Sequence, residues 1–289
     1  MLMTFEDLDP YAILKTLGLS EATAVTPVHG GSDTGIWQVE RGSKVYALRV
    51  FRRGEHADGE REKVVMETAR SSGLPVPQVH ATGVWHDHPA LLLSWLPGRP
   101  VADELRARPW RAWQLGVAFG RMQALIHAVP APGILLQRPD AWIKWSGSDE
   151  ETLQERLQTT SGHKSALLHL DYHPLNVLTD GRSITGVLDW RNALAGNPRA
   201  DAARTVSILR VDIVNHGRPR ILEVAVRRAF EQGWRIGYEQ KGGRLGDLSL
   251  FYAWAGAVME RDLAAKRGPE DLARIHGWTM RWKKQAGCF

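Results

Sequence analysis

The sequence predicts an α+β chain of two lobes, a small antiparallel β-rich lobe followed by a larger α-helical one. Three observations predict it. Short strand-like runs, punctuated by glycine and turn residues, fill residues 20–96 with one helical stretch inserted. The character changes after Pro97-Gly98, which reads as a short linker. Beyond residue 199 almost every segment reads as helix. The expected lobes are therefore residues 1–96 and 97–289. A cleft between two such lobes is a usual place for a ligand.

Taken in order, residues 9–18 read as a short helix. Strand-like runs follow near 22–29, 35–40 and 44–51, separated by Gly30-Gly31 and Gly42. A helix over about 58–71 stops at Gly73 and is followed by Pro75 and Pro77. Runs near 78–85 and 90–95 flank "WHDHP", which reads as a hairpin turn. A helix is expected over 109–128, with Trp113, Val117, Met122 and Leu125 at near-helical spacing. Leu167-Leu168 and Val177-Leu178 read as short buried strands around a loop, and "SITGVLDW" as an apolar strand. Helices are then expected over 199–215, 219–238, 246–265 and 269–285.

Composition narrows the function classes. Charged residues make up 24% and hydrophobic ones 43%, as in ordinary globular proteins. No apolar run approaches the roughly 18 residues that span a bilayer, so no membrane partner is expected. The start "MLMTFEDLDPYAILKTLGL" is acidic, unlike a signal or transit peptide. A single cysteine, Cys288, excludes an intrachain disulfide framework and a thiolate zinc site, and a cytoplasmic location is expected. Net charge is +5, but the basic residues are scattered, so no nucleic-acid partner is expected either.

The chemistry concentrates in "LLHLDYHPLNVLTD", from Leu167 to Asp180. His169, Asp171 and Asn176 fit H-x-D-x-x-x-x-N, the spacing of the protein-kinase catalytic loop. Asp189 follows at the end of an apolar strand, where such sites place a second metal-holding residue. Phosphoryl transfer to a hydroxyl needs that hydroxyl oriented and its proton accepted, which points to Asp171. Mg²⁺ requires hard oxygen ligands, which Asn176 and Asp189 supply. His169 reads as a structural hydrogen-bond partner of the loop. A histidine metal site with His163 and His173 is the rejected alternative.

A cation on the phosphates is also needed, held by a carboxylate on a helix. In "KVYALRVF", Val45, Ala47, Arg49 and Phe51 share one face of a strand. Glu62 shares a helix face with Val65, Met66 and Ala69, so an Arg49–Glu62 pair is expected. Gly30, Gly31 and Ser32 in "HGGSDTGIWQV" are expected to bring backbone amides to the phosphates, although a plain hairpin turn reads equally well there. In "LLLSWLPGRPV", the carbonyl of Ser94 and the amide of Leu96 are the expected contacts of a nucleobase. No G-x-x-x-x-G-K-[ST] occurs, which argues against a Walker-type ATPase.

Together these residues resemble the aminoglycoside phosphotransferase family, a branch of the protein-kinase-like fold that includes choline kinases and homoserine kinases. "LLHLDYHPLNVLTDGRSITGVLDWRNALAGNPRADAA" is similar to that family's H-G-D-x-H-x-x-N-[VI]-L, G-x-[IV]-D-W and G-D-P-x-x-D-x-A segments. "REKVVMETARSSGLPVPQV" and "LLLSWLPGRP" are similar to two more. The resemblance covers roughly residues 22–205. It implies a protein-kinase-like two-lobed fold and Mg²⁺-dependent transfer from ATP or GTP to a hydroxyl of a small molecule. It casts Asp171 as catalytic base, Asn176 and Asp189 as metal ligands, and Asp201 as a brace for the loop. Leu170 stands where glycine is common, Asn197 where aspartate is common, and Arg49 where lysine is usual. A nucleotide-binding pseudokinase that serves as an interaction module is the rival reading. For the acceptor, residues 202–289 carry 16 Lys+Arg against 9 Asp+Glu, which favours a neutral or anionic compound over a polycation.

Overall fold

A computed structural model describes residues 5, 8–28, 34–162, 165–212 and 221–288. The chain divides into two compact units, Met1–Pro97 and Gly98–Phe289.

Unit 1 opens with α1 (Pro10–Thr16), whose first N–H groups are satisfied by the Asp9 carboxylate at Tyr11 N and Ala12 N. Five strands follow: β1 (Ala24–Pro27), β2 (Gly35–Arg41), β3 (Lys44–Val50), β4 (Val79–Trp85) and β5 (His88–Ser94). They form one antiparallel sheet in the order β1-β2-β3-β5-β4. The β4–β5 turn is two residues long, with His86 at φ 45° and Asp87 at φ 69°. Positive φ at both central positions is the requirement of the tight hairpin turn that matches strand twist. Helix α2 (His56–Ser71) sits between β3 and β4 in the chain and buries Gly59, Glu62, Val65, Met66 and Ala69. Ile13, Leu14, Trp37, Val39, Leu48, Val50 and Leu92 form a core against α1.

Unit 2 is mostly helical. Its elements are β6 (Arg99–Pro100), α3 (Val101–Ala107), α4 (Ala112–His127), α5 (Gly133–Leu136), α6 (Glu151–Ser161), β7 (Ala166–Leu168), β8 (Val177–Thr179), β9 (Ile184–Val187), β10 (Leu194–Gly196), α7 (Pro198–Ser207), α8 (Ile221–Gly242), α9 (Ser249–Leu263) and α10 (Pro269–Ala286). A π-helical turn, Ile208–Asp212, prolongs α7. The strands make two small antiparallel sheets, β10-β7 and β6-β8-β9. The antiparallel sheet of unit 1 followed by this helical unit is the two-lobed protein-kinase-like architecture.

The helix expected over 109–128 differs in the structure. Pro109–Arg111 form a 3-10 turn and α4 starts at Ala112. Trp113 and Leu125 are 48% and 41% exposed, while Leu115, Gly116, Phe119, Gly120 and Gln123 are buried. The buried face is the one that fits α8. A Cβ on Gly116 would collide with the carbonyl of Phe230, and one on Gly120 with the carbonyl of Trp234. In return, Gly233 and Gly237 of α8 leave room for the carbonyls of Trp113 and Val117. The two helices touch backbone to backbone through four glycines, a face that hydropathy does not register. Helices α3 and α6 were not expected from the sequence, and the helix read over 199–215 ends at Ser207 before passing into the π turn.

Candidate active site

In unit 1, β3 carries Arg49 and α2 carries Glu62. Arg49 Nε lies 3.2 Å from Glu62 Oε2, with the side chains 7% and 1% exposed. The guanidinium also stands 5.6 Å from the centre of the Phe51 ring. A buried charge of each sign is thus answered by the other. Ser94 closes β5, where its N–H donates to Gln78 O and its Oγ accepts from Gln78 N, each at 2.9 Å. Leu96 is half-buried just beyond. Gly30, Gly31 and Ser32 lie outside the described residues.

In unit 2, the segment 169–176 crosses from β7 to β8, and its backbone is held from below by α7. Asp201 accepts from His169 N at 3.1 Å and from Leu170 N at 2.8 Å. Arg204, one turn on, donates from Nε to Leu170 O at 2.6 Å. Thr205 Oγ1 donates to Tyr172 O at 3.0 Å. Leu170 is buried at φ 60°, a left-handed conformation costly for leucine. Bonds at both its N–H and its carbonyl oppose relaxation. This backbone conformation explains why glycine suits the position.

Two further bonds tie Asp189 to the loop. His169 Nε2 donates to Leu188 O at 2.9 Å, and Leu188 N donates to Asn176 O at 2.8 Å. Leu188 is clamped from both sides, and Asp189 follows it at φ 60°. The His169 tautomer is fixed by geometry. Asp171 N donates to Nδ1 at 3.3 Å, so the proton sits on Nε2. Burial pushes the pKa of His169 down, which keeps the ring neutral.

Asn176 Nδ2 donates to Asp171 O at 3.1 Å and to Asp171 Oδ2 at 3.3 Å. The amide nitrogen therefore faces the loop, which leaves Oδ1 as the group free to meet a cation. Burial alone would raise the Asp171 carboxyl. His173, with Nε2 3.7 Å from Oδ1, outweighs it together with Arg204 and His169, and holds the group down to about 2. The 3.7 Å separation is longer than a hydrogen bond, so His173 acts mainly through charge. Leu175 N lies 3.3 Å from His173 Nδ1, and Asn176 Nδ2 lies 3.2 Å from its Nε2, so the ring is held from both sides. Asp171 is thus an ionised acceptor at neutral pH. Asp171, Asn176 and Asp189 offer hard oxygens only, a set that fits Mg²⁺. No cluster of three His, Cys, Asp or Glu side chains suited to a metal occurs among the described residues.

Sequence reading missed the supports behind the loop. His127 on α4 bridges Asp201 Oδ2 and the Tyr238 hydroxyl, each at 2.8 Å. Burial would raise Asp201, but the hydrogen bond and charge of His127 hold it below the usual carboxylate range. Gln123 donates to Thr205 Oγ1 at 2.9 Å and accepts from Trp234 Nε1 at 2.7 Å. A chain of buried polar groups thus runs from α8 through α4 to α7 and the loop. A lone histidine and a glutamine on an apolar helix carry no motif that would mark them. Arg204 had a signal, since it stands three residues after Asp201 on the same helix face. Asn197 caps α7 by accepting from Arg199 N at 3.1 Å and donates to Ser161 O at 2.7 Å. An amide can do both where a carboxylate can only accept.

The family model named APH, the phosphotransferase enzyme family, matches residues 24–241. The chain belongs to that family, and its general activity is phosphoryl transfer. No curated protein matches the sequence. Among solved structures, a thermostable mutant of aminoglycoside phosphotransferase APH(4)-Ia in its apo form is similar at 16% identity and a TM-score of 0.67, over 98% of this chain and 100% of that one. Spectinomycin phosphotransferase APH(9)-Ia, in complex with ADP and spectinomycin, is similar at 14% identity and a TM-score of 0.58, over 96% and 93%. Macrolide 2'-phosphotransferase MphH from Brachybacterium faecium is similar at 17% identity and a TM-score of 0.57, over 93% and 98%. At these identities the likeness is one of fold. No helix among the described residues is long and apolar enough to cross a membrane.

Proposed function

We propose that the chain transfers the γ-phosphate of a nucleoside triphosphate, ATP or GTP, to a hydroxyl of a small molecule, with Mg²⁺ as the metal. The observation that carries this reading is the double clamp on Leu188, which ties Asp189 to the loop that presents Asp171 and Asn176. Mg²⁺, when bound, offsets the charge of the phosphates and of the transferring group. Asn176 and Asp189 would hold it.

The remaining roles fall to the chain's own groups. Asp171 orients the acceptor hydroxyl and takes its proton as the oxygen attacks phosphorus. A carboxyl held near 2 is a weak base. In a loose phosphoryl transition state the hydroxyl loses its proton late, so orientation matters more than basicity. Arg49, fixed by Glu62, offers its guanidinium fork to the phosphates. Gly30, Gly31 and Ser32 are assigned to backbone contacts with the phosphates, and Ser94 and Leu96 to the nucleobase. The solved relatives support a nucleotide co-substrate, since they include complexes with AMP-PNP and with ADP. The acceptor is read as neutral or anionic. The test is a screen of hydroxyl compounds for Mg²⁺-dependent ADP or GDP release. Absence of release with every compound class, from a chain that binds nucleotide, would favour a pseudokinase.

A further inference from the structure

A second concentration of charge lies in unit 2, among the π turn, α8 and α10. There Arg210, Arg227, Arg228, Arg274 and Arg281 surround Glu231 and Trp278, lining a cavity of about 570 Å³. That size is within the usual range for small-molecule sites. Glu231 is the one carboxylate among these lining residues. Glu231 is taken by Arg210, which reaches it with two nitrogens. Arg274 is answered by Asp271 at 2.7 Å. Arg227 donates to the carbonyl of Arg210 at 3.2 Å. Among the described residues, Arg227, Arg228 and Arg281 make no ion pair with a carboxylate. Trp278 keeps its indole N–H buried without an acceptor.

Arginine stems packed on tryptophan, with their heads in water, would be the bland account. It serves for Arg281, which is exposed and stands 5.5 Å from the Trp282 ring. It does not serve for half-buried Arg227. Burial is the main cause that lowers the pKa of Arg227; the charge of Glu231 opposes it, and the charges of Arg210, Arg228 and Arg274 add to the lowering. An oxyanion would relieve that repulsion. Guanidinium forks bind carboxylate and phosphate two bonds at a time. We propose that this pocket binds the carboxylate or phosphate group of a small molecule.

Two sources fit that chemistry. The π turn continues α7, whose Asp201, Arg204 and Thr205 hold the catalytic loop. Arg210 stands about 13 Å of helix rise beyond Asp201. The anion is either part of the acceptor or a separate ligand felt at the loop through α7. Binding itself stands on the pocket alone, and the choice between the two sources rests on the phosphotransferase reading.

The experiment is calorimetry on the full chain with inorganic phosphate, pyrophosphate and citrate, without nucleotide or Mg²⁺. Saturable binding of at least one is expected, weakened about tenfold or more in Arg227→Gln/Arg228→Gln, because charge-assisted bonds are the strong class. It should be unchanged in Asp189→Ala. Should the double variant unfold, Arg228→Gln alone, on an exposed side chain that lines the same pocket, reads the same contact. No saturable binding of any probe, affinity unaltered in the arginine variants, or equal loss in Asp189→Ala would overturn the proposal. The sources separate in turnover assays. A probe that raises the acceptor KM in the parent chain but not in Arg228→Gln marks the acceptor's own anionic group. An effect on kcat alone, also lost in that variant, marks a separate ligand.

Discussion

The two units hold their working groups by opposite means. In unit 1, Arg49 is paired with the carboxylate of Glu62, which shares its helix face with Val65, Met66 and Ala69. In unit 2, the loop that presents Asp171 is held by a network in which Asp201, Arg204, Thr205 and His169 each bond a different stretch of backbone. A pair fixes one side chain, and deleting one member strands a buried charge. A network fixes a backbone path, and its cost of deletion is concentrated where most bonds meet. That place is Asp201.

The largest effect is therefore expected there. Asp201→Ala should cost on the order of 4–5 kcal/mol, since it orphans two buried N–H groups and His127. Denaturant melts check the figure, and a loss below about 1 kcal/mol would show that the loop holds its path without Asp201. The sign of the pH dependence follows from its depressed carboxyl. That stability is present above the ordinary carboxylate range and is lost as pH falls through the folded value. Asp201→Asn should accordingly flatten the acid side of the stability profile, below about pH 4.

The pair in unit 1 comes next. Glu62→Ala should cost about 3 kcal/mol, whereas replacing Arg49 and Glu62 together by methionine and leucine should be near neutral for stability. Nucleotide affinity should fall in both cases. Affinity retained in the double replacement would show that the pair is only structural. In Arg49→Ala and Glu62→Ala, additive losses of affinity would show that the two groups act independently.

Gly120→Ala tests the helix contact behind the network, where a methyl group meets the Trp234 carbonyl. A loss of about 1–3 kcal/mol is expected from overpacking, and an unchanged thermal midpoint would contradict the close approach. The smallest effect is at His173. His173→Gln removes the charge that holds Asp171 down, so its carboxyl should rise and the acid limb of kcat/KM should move to higher pH. An unmoved limb would assign it to another group.

How much of this was legible in the sequence depended on period and spacing. The strands of unit 1 showed because alternation, glycines and prolines mark them, and the Arg49–Glu62 pair followed from faces alone. His169, Asp171, Asn176 and Asp189 showed because their spacing is local to one loop and one strand. The α4–α8 contact was hidden because glycine has no side chain to give a hydropathic signal, so Trp113 and Leu125 drew the eye to the exposed face. His127, Gln123 and Tyr238 were hidden because their partners are distant in sequence, which only the fold brings together.

The central claim is that Asp171 serves transfer and not binding. Asp171→Asn keeps the shape of the side chain and removes its charge. Single-turnover transfer of γ-phosphate to an acceptor, measured beside nucleotide affinity by calorimetry, reads the two apart. The expected result is a fall in transfer of roughly a thousandfold, in line with loss of general acid–base assistance and orientation, with affinity within about threefold. Near-normal transfer by the folded variant would contradict the account.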